Sequence, residues 1–252
     1  MVRSAQTGMG ELTPSTSNVK CTAEVPIPMT TQHAERPYHH GDLRRAIVSA
    51  ALDILGETQS LEFSLRELAR RAGVSHNAPY KHFTDKRELL AAVSAAGFDA
   101  LAKRMGVEAA KSAHPRARLF AMLRAYIRYG VDNPALYKLM FGGYLSGPED
   151  GRPAIERAAA ESARTLLATV IRDGALGQAI PDTPRNERKI AAAILACWSL
   201  VHGLTQLIAD GLVGPGKKCD ELGDTLIKAM LDGLGTKCPA LPIGTWVGPQ
   251  VP

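Results

Sequence analysis

From Leu43 to Leu234 apolar residues recur at steps of three and four, and no stretch shows the alternating, β-branched pattern of a strand. That spacing predicts an all-α fold. Hydrophobic residues make up 45% of the 252-residue chain, enough for a sizeable buried core. No apolar run is expected to approach the roughly 20 residues of a membrane-spanning helix, and the N-terminus lacks the apolar stretch of a secretory signal. A cytoplasmic protein with no membrane partner is the expectation. Residues 1–37 are rich in Ser, Thr, Pro and Gly and read as a disordered tail, with Met29 as a second conceivable start. Pro and Gly recur from Gly235 onward, so helix should stop near Leu234 and residues 235–252 should form a second flexible tail.

The part between the tails begins with a predicted helix from about Leu43 to Glu57, capped by Asp42, with Leu43, Ile47, Ala50 and Ile54 on one face and Arg44 and Arg45 on the polar side. A second, short helix has a clear start signal. Ser64 with Glu67 three residues on forms a capping box, and Phe63 can pack on Leu68 as a hydrophobic staple. It turns Leu65, Leu68 and Ala69 inward and Arg66, Arg70 and Arg71 outward, and ends at Gly73, a residue free to take the positive φ of a tight turn. The stretch Val74 to Phe83 then predicts about two helical turns with Ser75 as cap. Pro79 within it removes one backbone donor and disfavours α conformation at Ala78, so a slightly distorted but intact helix is expected. A fourth helix starts at Asp85, with Glu88 three residues on. Short helix, glycine turn, short helix is the helix-turn-helix pattern.

The residues Phe63 to Ser75, then Tyr80-Lys81-His82-Phe83, Asp85-Lys86 and Leu89-Leu90, resemble the DNA-binding signature of the tetracycline-repressor (TetR) family. The resemblance covers about residues 40–95, and residues 38–95 are expected to form the DNA-binding domain. In a helix-turn-helix the second short helix enters the major groove with its N-terminal residues facing base edges, which makes Ser75, His76 and Asn77 the candidates for base readout. An Asn77 amide can pair with both hydrogen-bonding positions of an adenine edge, and the His76 imidazole can donate or accept at a purine. Tyr80, Lys81, His82 and Lys86 lie further along and are candidates for phosphate contacts, which position the protein without specifying sequence. Phe83 reads as core, and Tyr80 as either core or interface.

Residues 96–234 should form a helical effector-binding and dimerisation domain. A helix from Arg116 turns Leu119, Leu123, Tyr126, Ile127 and Gly130 inward, breaks at Asn133-Pro134 and resumes to Phe141. Gly142 to Pro153 reads as a loop. A long helix then carries Ile155, Ala159, Ser162, Leu166 and Val170 on one face. The helix from about Arg188 to Asp210 pairs an apolar face (Ile190, Ile194, Trp198, Val201, Thr205, Ile208) with a stripe of small residues (Ala192, Ala196, Ser199, Gly203). The last helix, about Asp220 to Leu234, offers Leu222, Leu226, Ala229 and Gly233. Two such helices can form half of a four-helix bundle with a second copy. The stretches Asp132 to Phe141 and Trp198 to Leu204 are similar to a TetR subgroup whose C-terminal domain is named for a Trp-His-Gly element. This resemblance implies a homodimer joined through the last two helices and an internal pocket for a small-molecule effector. Candidate lining residues are Met122, Tyr126, Met140, Phe141, Trp198 and His202. His202 could bond a ligand, cap a helix or cross the dimer interface.

Composition excludes less than the motifs do. The formal charge is +5, and nine Lys/Arg against seven Asp/Glu between Arg36 and Glu88 leave the DNA-binding segment at +2, so the case for double-stranded operator DNA rests on motif and geometry. Cys21, Cys197, Cys219 and Cys238 lack the spacing of a zinc site or disulfide framework and read as thiols, Cys197 as a small core residue. His33, His39 and His40 cluster without partner spacing, so no metal is expected. There is no phosphate loop, nucleotide fingerprint, nucleophile elbow or metal motif. The glycines at 211, 214 and 216 join two helices instead of following a strand. No cofactor and no enzyme activity are expected; the alternatives to a repressor released by an effector are a helical protein-binding adaptor on the same fold and, less favoured, an enzyme.

Overall fold

The computed structural model describes residues 40–145, 153–181, 183–213 and 217–236, all within the unit that begins at Tyr38. The two expected tails and the Met29 start lie outside the described residues, apart from the first two positions of the C-terminal one. Among the described residues there are helices and connecting turns but no strands. They are α1 (His40–Thr58), α2 (Leu65–Arg71), α3 (Ala78–His82), α4 (Lys86–Ala109), α5 (Pro115–Asp132), α6 (Pro134–Phe141), α7 (Ala154–Val170), continued by a π-helical turn (Ile171–Ala175), α8 (Pro184–Ala209) and α9 (Lys217–Thr236). The all-α expectation therefore holds.

Several boundaries differ from those read in the sequence, each for a local reason. α1 starts at His40, which places Asp42 inside its first turn and not at its cap. α9 runs two residues past Leu234, because Gly235 can continue a last helical turn as well as end one. α4 is 24 residues long and passes through position 95, so the segment expected to bind DNA and the one expected to follow it share one continuous helix. Its buried residues, from Leu89 through Ala91, Val93, Ala95 and Phe98 to Met105, occupy more than one face, as a helix packed on several sides requires. α7 buries Glu156, Ala159, Leu167, Ala168 and Val170; the expected Ile155 and Ser162 are exposed, since the inward stripe is shifted by one residue at that end. α8 carries no charge from Ile190 to Ala209 and is long and apolar enough by composition to cross a membrane, contrary to the sequence expectation. Only 44% of its most apolar stretch is buried, and an apolar core helix passes the same test.

α5 and α9 run antiparallel, and charge sets their register. Arg128 donates to Asp220 at 2.5 Å, Arg124 pairs with Asp224 at 3.3 Å, and Arg116 binds both Asp232 and the Leu231 carbonyl. Lys228 lies 5.8 Å from the Phe120 ring centre in the same row. The two positions in each of these pairs move in opposite directions along the chain, so one slip of a helical turn would break all of them. Close helix approach elsewhere depends on glycine: at Gly130 an added Cβ would stand 2.3 Å from Thr205 Cγ2 and 2.8 Å from Tyr137 Cδ2.

Candidate nucleic-acid interface and effector cavity

The helix-turn-helix is built as its residues dictate. The Ser64 hydroxyl accepts from the Glu67 amide at 3.1 Å and starts α2. At the other end Gly73 takes φ +68°, the Val74 amide reaches back to the Ala69 carbonyl at 2.9 Å, and the Gly73 amide bonds the Arg70 carbonyl at 3.3 Å. This paired-bond closure requires a left-handed residue at 73 and fixes the turn. Leu68 and Ala69 are buried, and Arg66, Arg70 and Arg71 face outward, Arg71 bound to Glu57 of α1.

The second helix is shorter than the sequence suggests. A helix capped by Ser75 would need the amide of residue 79 to bond the Ser75 carbonyl, and proline has none. The Ala78 amide takes that carbonyl instead, at 2.9 Å, and α3 begins only at Ala78 with Pro79 in its first turn, where a missing donor costs nothing. Ser75, His76 and Asn77 consequently stand in the turn before α3, all exposed, and the Asn77 side chain makes no capping bond. Phe83 is 1% exposed and closes the core, whereas Tyr80 is 61% exposed beside exposed Lys81; His82 is half-buried.

Lys86 has an internal task that the sequence did not reveal. Its ammonium donates to the carbonyls of Leu61 and Phe63, each at 3.0 Å, and lies 4.9 Å from the Phe63 ring centre. It thereby ties the start of α4 to the loop before α2, leaving one of three N–H donors. Arg44 is likewise held, 3.5 Å from Glu88 and 4.8 Å from the Phe83 ring centre. The Glu88 carboxyl lies below its usual range, chiefly because it accepts the Thr84 backbone amide, with Arg44 adding to the effect.

A cavity of about 310 Å³ lies among α4, α5, α6, α7 and α8. Of the expected lining residues Tyr126, Phe141 and Trp198 reach it. Met122 and Met140 do not, being wholly buried in the packing around it, and His202 stands in a polar chain next to it. In that chain the Trp198 indole N–H donates to the Tyr126 hydroxyl at 3.3 Å, Tyr126 meets the Tyr137 hydroxyl at 3.1 Å, and Tyr137 meets His202 Nδ1 at 2.6 Å. Burial pushes the Tyr126 hydroxyl up to about 12 and raises Tyr137 as well, so both phenols stay protonated. The sequence reading missed Tyr137 and also the far wall, where Arg157, Glu161 and Arg164 of α7 join Phe98, Leu101 and Met105 of α4. Their signal was present as charges at i, i+4 and i+7 around Ala160 and Ala163, but that spacing also describes any solvated helix face.

On a single chain Ser199 and Leu207 of α8 and Ala229 and Gly233 of α9 are exposed, and Gly203, Leu222 and Leu226 are half-buried; nothing lies within 4 Å of where a Cβ on Gly203 or Gly233 would sit. Cys197 is fully buried, as expected of a core thiol.

Residues 47–93 match the family model described as bacterial regulatory proteins, tetR family, and residues 119–230 match that of the tetracyclin repressor-like C-terminal domain. The HTH-type transcriptional regulator BetI of Rhizobium meliloti (strain 1021) is 33% identical over 85 residues, 34% of this chain and 42% of the relative, so the match spans less than half of that protein's length. A protein with unknown function from Rhodococcus sp. RHA1 superposes with TM-score 0.61 at 29% identity, covering 80% of this chain and 98% of the other. A bacterial regulatory protein in the tetR family from Rhodococcus RHA1 gives TM-score 0.53 at 22% identity, covering 77% and 97%.

Proposed function

Because this chain belongs to the tetR family of DNA-binding transcriptional regulators, we propose that it is a dimeric repressor, acting in the cytoplasm, whose hold on operator DNA is released when a small molecule enters the cavity between α4 and α8. The observation that carries this reading is the exposed run Ser75-His76-Asn77 at the mouth of α3, with exposed Tyr80 and Lys81 one turn further on and the Phe83 ring buried beneath. Side chains held on a turn by a short, anchored helix can meet base edges without paying to order a flexible loop. Asn77, spared from capping, reads a base, with His76 and Ser75 beside it. Tyr80, Lys81 and His82 reach phosphates, and Lys86 contributes at most its remaining donor.

The exposed small and apolar surface of α8 and α9 supports dimerisation through those helices, giving two copies of α3 about 34 to 36 Å apart in successive major grooves. An effector acts by favouring a conformer with the wrong spacing, and its differential affinity for the two conformers sets how far the equilibrium moves. α4 is suited to carry that change, since it begins beside α3 and its middle lines the cavity. Footprinting on the DNA upstream of the chain's own coding region tests the proposal. The expected result is a protected near-palindrome with half-sites one turn apart; protection of a single half-site, or of none in any fragment, overturns it.

A further inference from the structure

The chain that forms the cavity does not close it. Lining residues on α4 and α5, Phe98, Leu101 and Tyr126 among them, are buried, whereas α7 and α8 supply the half-buried Ala160 and Arg164 and the exposed Trp198. The mouth therefore lies between α7 and α8. Trp198 is 40% exposed, and no other described residue of the lining is exposed. Its N–H is turned inward to the Tyr126 hydroxyl at 3.3 Å, so the exposure falls on the rest of the ring. The same side of α8 continues through exposed Ser199 and Leu207, with Leu195 and Gly203 half-buried beside them. Only 44% of the most apolar stretch of this helix is buried, and residues 190–209 contain no Asp, Glu, Lys or Arg. In an isologous contact each surface meets its own copy, so any charge on it meets a like charge. A face without charges is free of that repulsion and gains by covering its apolar side chains.

Resting on the reading of this cavity as the effector site, we infer that a second copy of the chain covers its mouth, so that each effector site is complete only in the dimer. The partner's α8 crosses at Ser199 and Gly203, where nothing lies within 4 Å of a Gly203 Cβ, and its side chains shield the outer face of Trp198. An effector in the cavity is then cut off from water by both copies. Affinity and dimerisation become linked: whatever the dimer adds to effector affinity at each site, the effector returns to the dimer. Such an effector cannot clear the operator by separating the two copies, so release proceeds with the dimer intact.

Trp198 and Trp246 are the two indoles of the chain, so the full-length Trp246→Phe variant reports on Trp198 alone. Its emission and acrylamide quenching are followed on dilution, sedimentation velocity gives the fraction of dimer, and the uncharged fluorophore 1-aminoanthracene serves as the cavity probe. The expected result is Trp198 emission that moves to the blue and is quenched less as the dimer forms. Ser199→Glu, which sets two carboxylates against each other in the seam and leaves the cavity lining intact, should give a folded monomer. That monomer should bind 1-aminoanthracene about tenfold more weakly than the dimer, as loss of an apolar cover about one ring in area predicts. Saturating probe should in turn lower the dimer dissociation constant about a hundredfold, about tenfold for each of the two sites. The dilution series decides by itself if Ser199→Glu fails to fold. A monomer that binds the probe as tightly as the dimer, or Trp198 emission that is the same in both states, overturns the shared mouth while keeping the cavity as a binding site. A parent protein monomeric at every concentration, or a Ser199→Glu variant as dimeric as the parent, gives the α8 face to another partner and overturns the inference. Saturable binding of the probe to neither form overturns the cavity reading as well.

Discussion

Gly130→Ala tests the packing on which the cavity's polar wall depends. The new methyl carbon would stand 2.3 Å from Thr205 Cγ2 and 2.8 and 3.0 Å from two carbons of the Tyr137 ring, against an ordinary contact of about 3.5 to 4.0 Å. Neither neighbour is a loose end. Thr205 is fully buried with its hydroxyl bonded to the Val201 carbonyl at 2.6 Å, and Tyr137 is 1% exposed and held by His202 at 2.6 Å. Relief therefore requires α5 to move from α8 or Tyr137 to rotate off its rotamer. A contact of 2.3 Å belongs to the upper half of the about 1 to 3 kcal/mol that overpacking costs, and replacing glycine inside a helix returns about 1 kcal/mol, for a net loss of roughly 1 to 2 kcal/mol. In a chain of this size that lowers Tm by about 2 to 8 °C in a calorimetric or circular dichroism melt. An unchanged or raised Tm would refute the claim that Gly130 is required for the close approach of α5 to α6 and α8.

Gly203→Ala is expected to behave in the opposite way on the isolated chain, where nothing lies within 4 Å of the added carbon: the helix gains about 0.5 to 1 kcal/mol, yet the dimer weakens, because the methyl enters the seam between copies. Sedimentation equilibrium reads this, and a dimer of unchanged affinity contradicts the α8–α9 seam. Asn77→Ala should cost about 1 to 3 kcal/mol of operator binding per half-site and relax preference at one base pair while leaving Tm alone, since no capping bond is lost. Lys81→Ala should lower affinity for all sequences and reduce the salt slope by about one, whereas Lys86→Ala should lower Tm too, by removing two bonds to carbonyls; equal Tm for these two variants argues against the Lys86 clamp. Alkaline titration followed by tyrosinate absorbance should show Tyr126 and Tyr129 ionising near 12 while an unfolded chain ionises near 10. The native state then keeps protons that the unfolded state has lost, so stability is full below about pH 10 and declines from there to about 12. Release of every tyrosine near 10 without unfolding would contradict the buried hydroxyls.

What could be read from the sequence was local. Ser64, Gly73 and Asp85 are start and stop signals that act within a few residues, and each does in the structure what its chemistry suggests. The length of α3 was also local in origin, but it depended on which carbonyl would lose its partner at Pro79. The resemblance implied a pocket, but the apolar pattern could not separate Tyr126, Phe141 and Trp198, which line the cavity, from Met122 and Met140, which do not, since lining and packing residues share one apolar code. Arg116, Arg124 and Arg128 look like an ordinary solvated face until α9 is laid antiparallel beside them, and Lys86 gives no sign of carbonyls more than twenty residues upstream. Long-range pairing leaves no spacing signal in a single chain.

Specific DNA binding is measured most directly by fluorescence anisotropy of the purified protein with its own upstream intergenic DNA, at two salt concentrations and with random DNA as competitor. Tight binding that weakens with salt yet resists the competitor is the predicted result. Binding to the upstream fragments no tighter than to random DNA would contradict it.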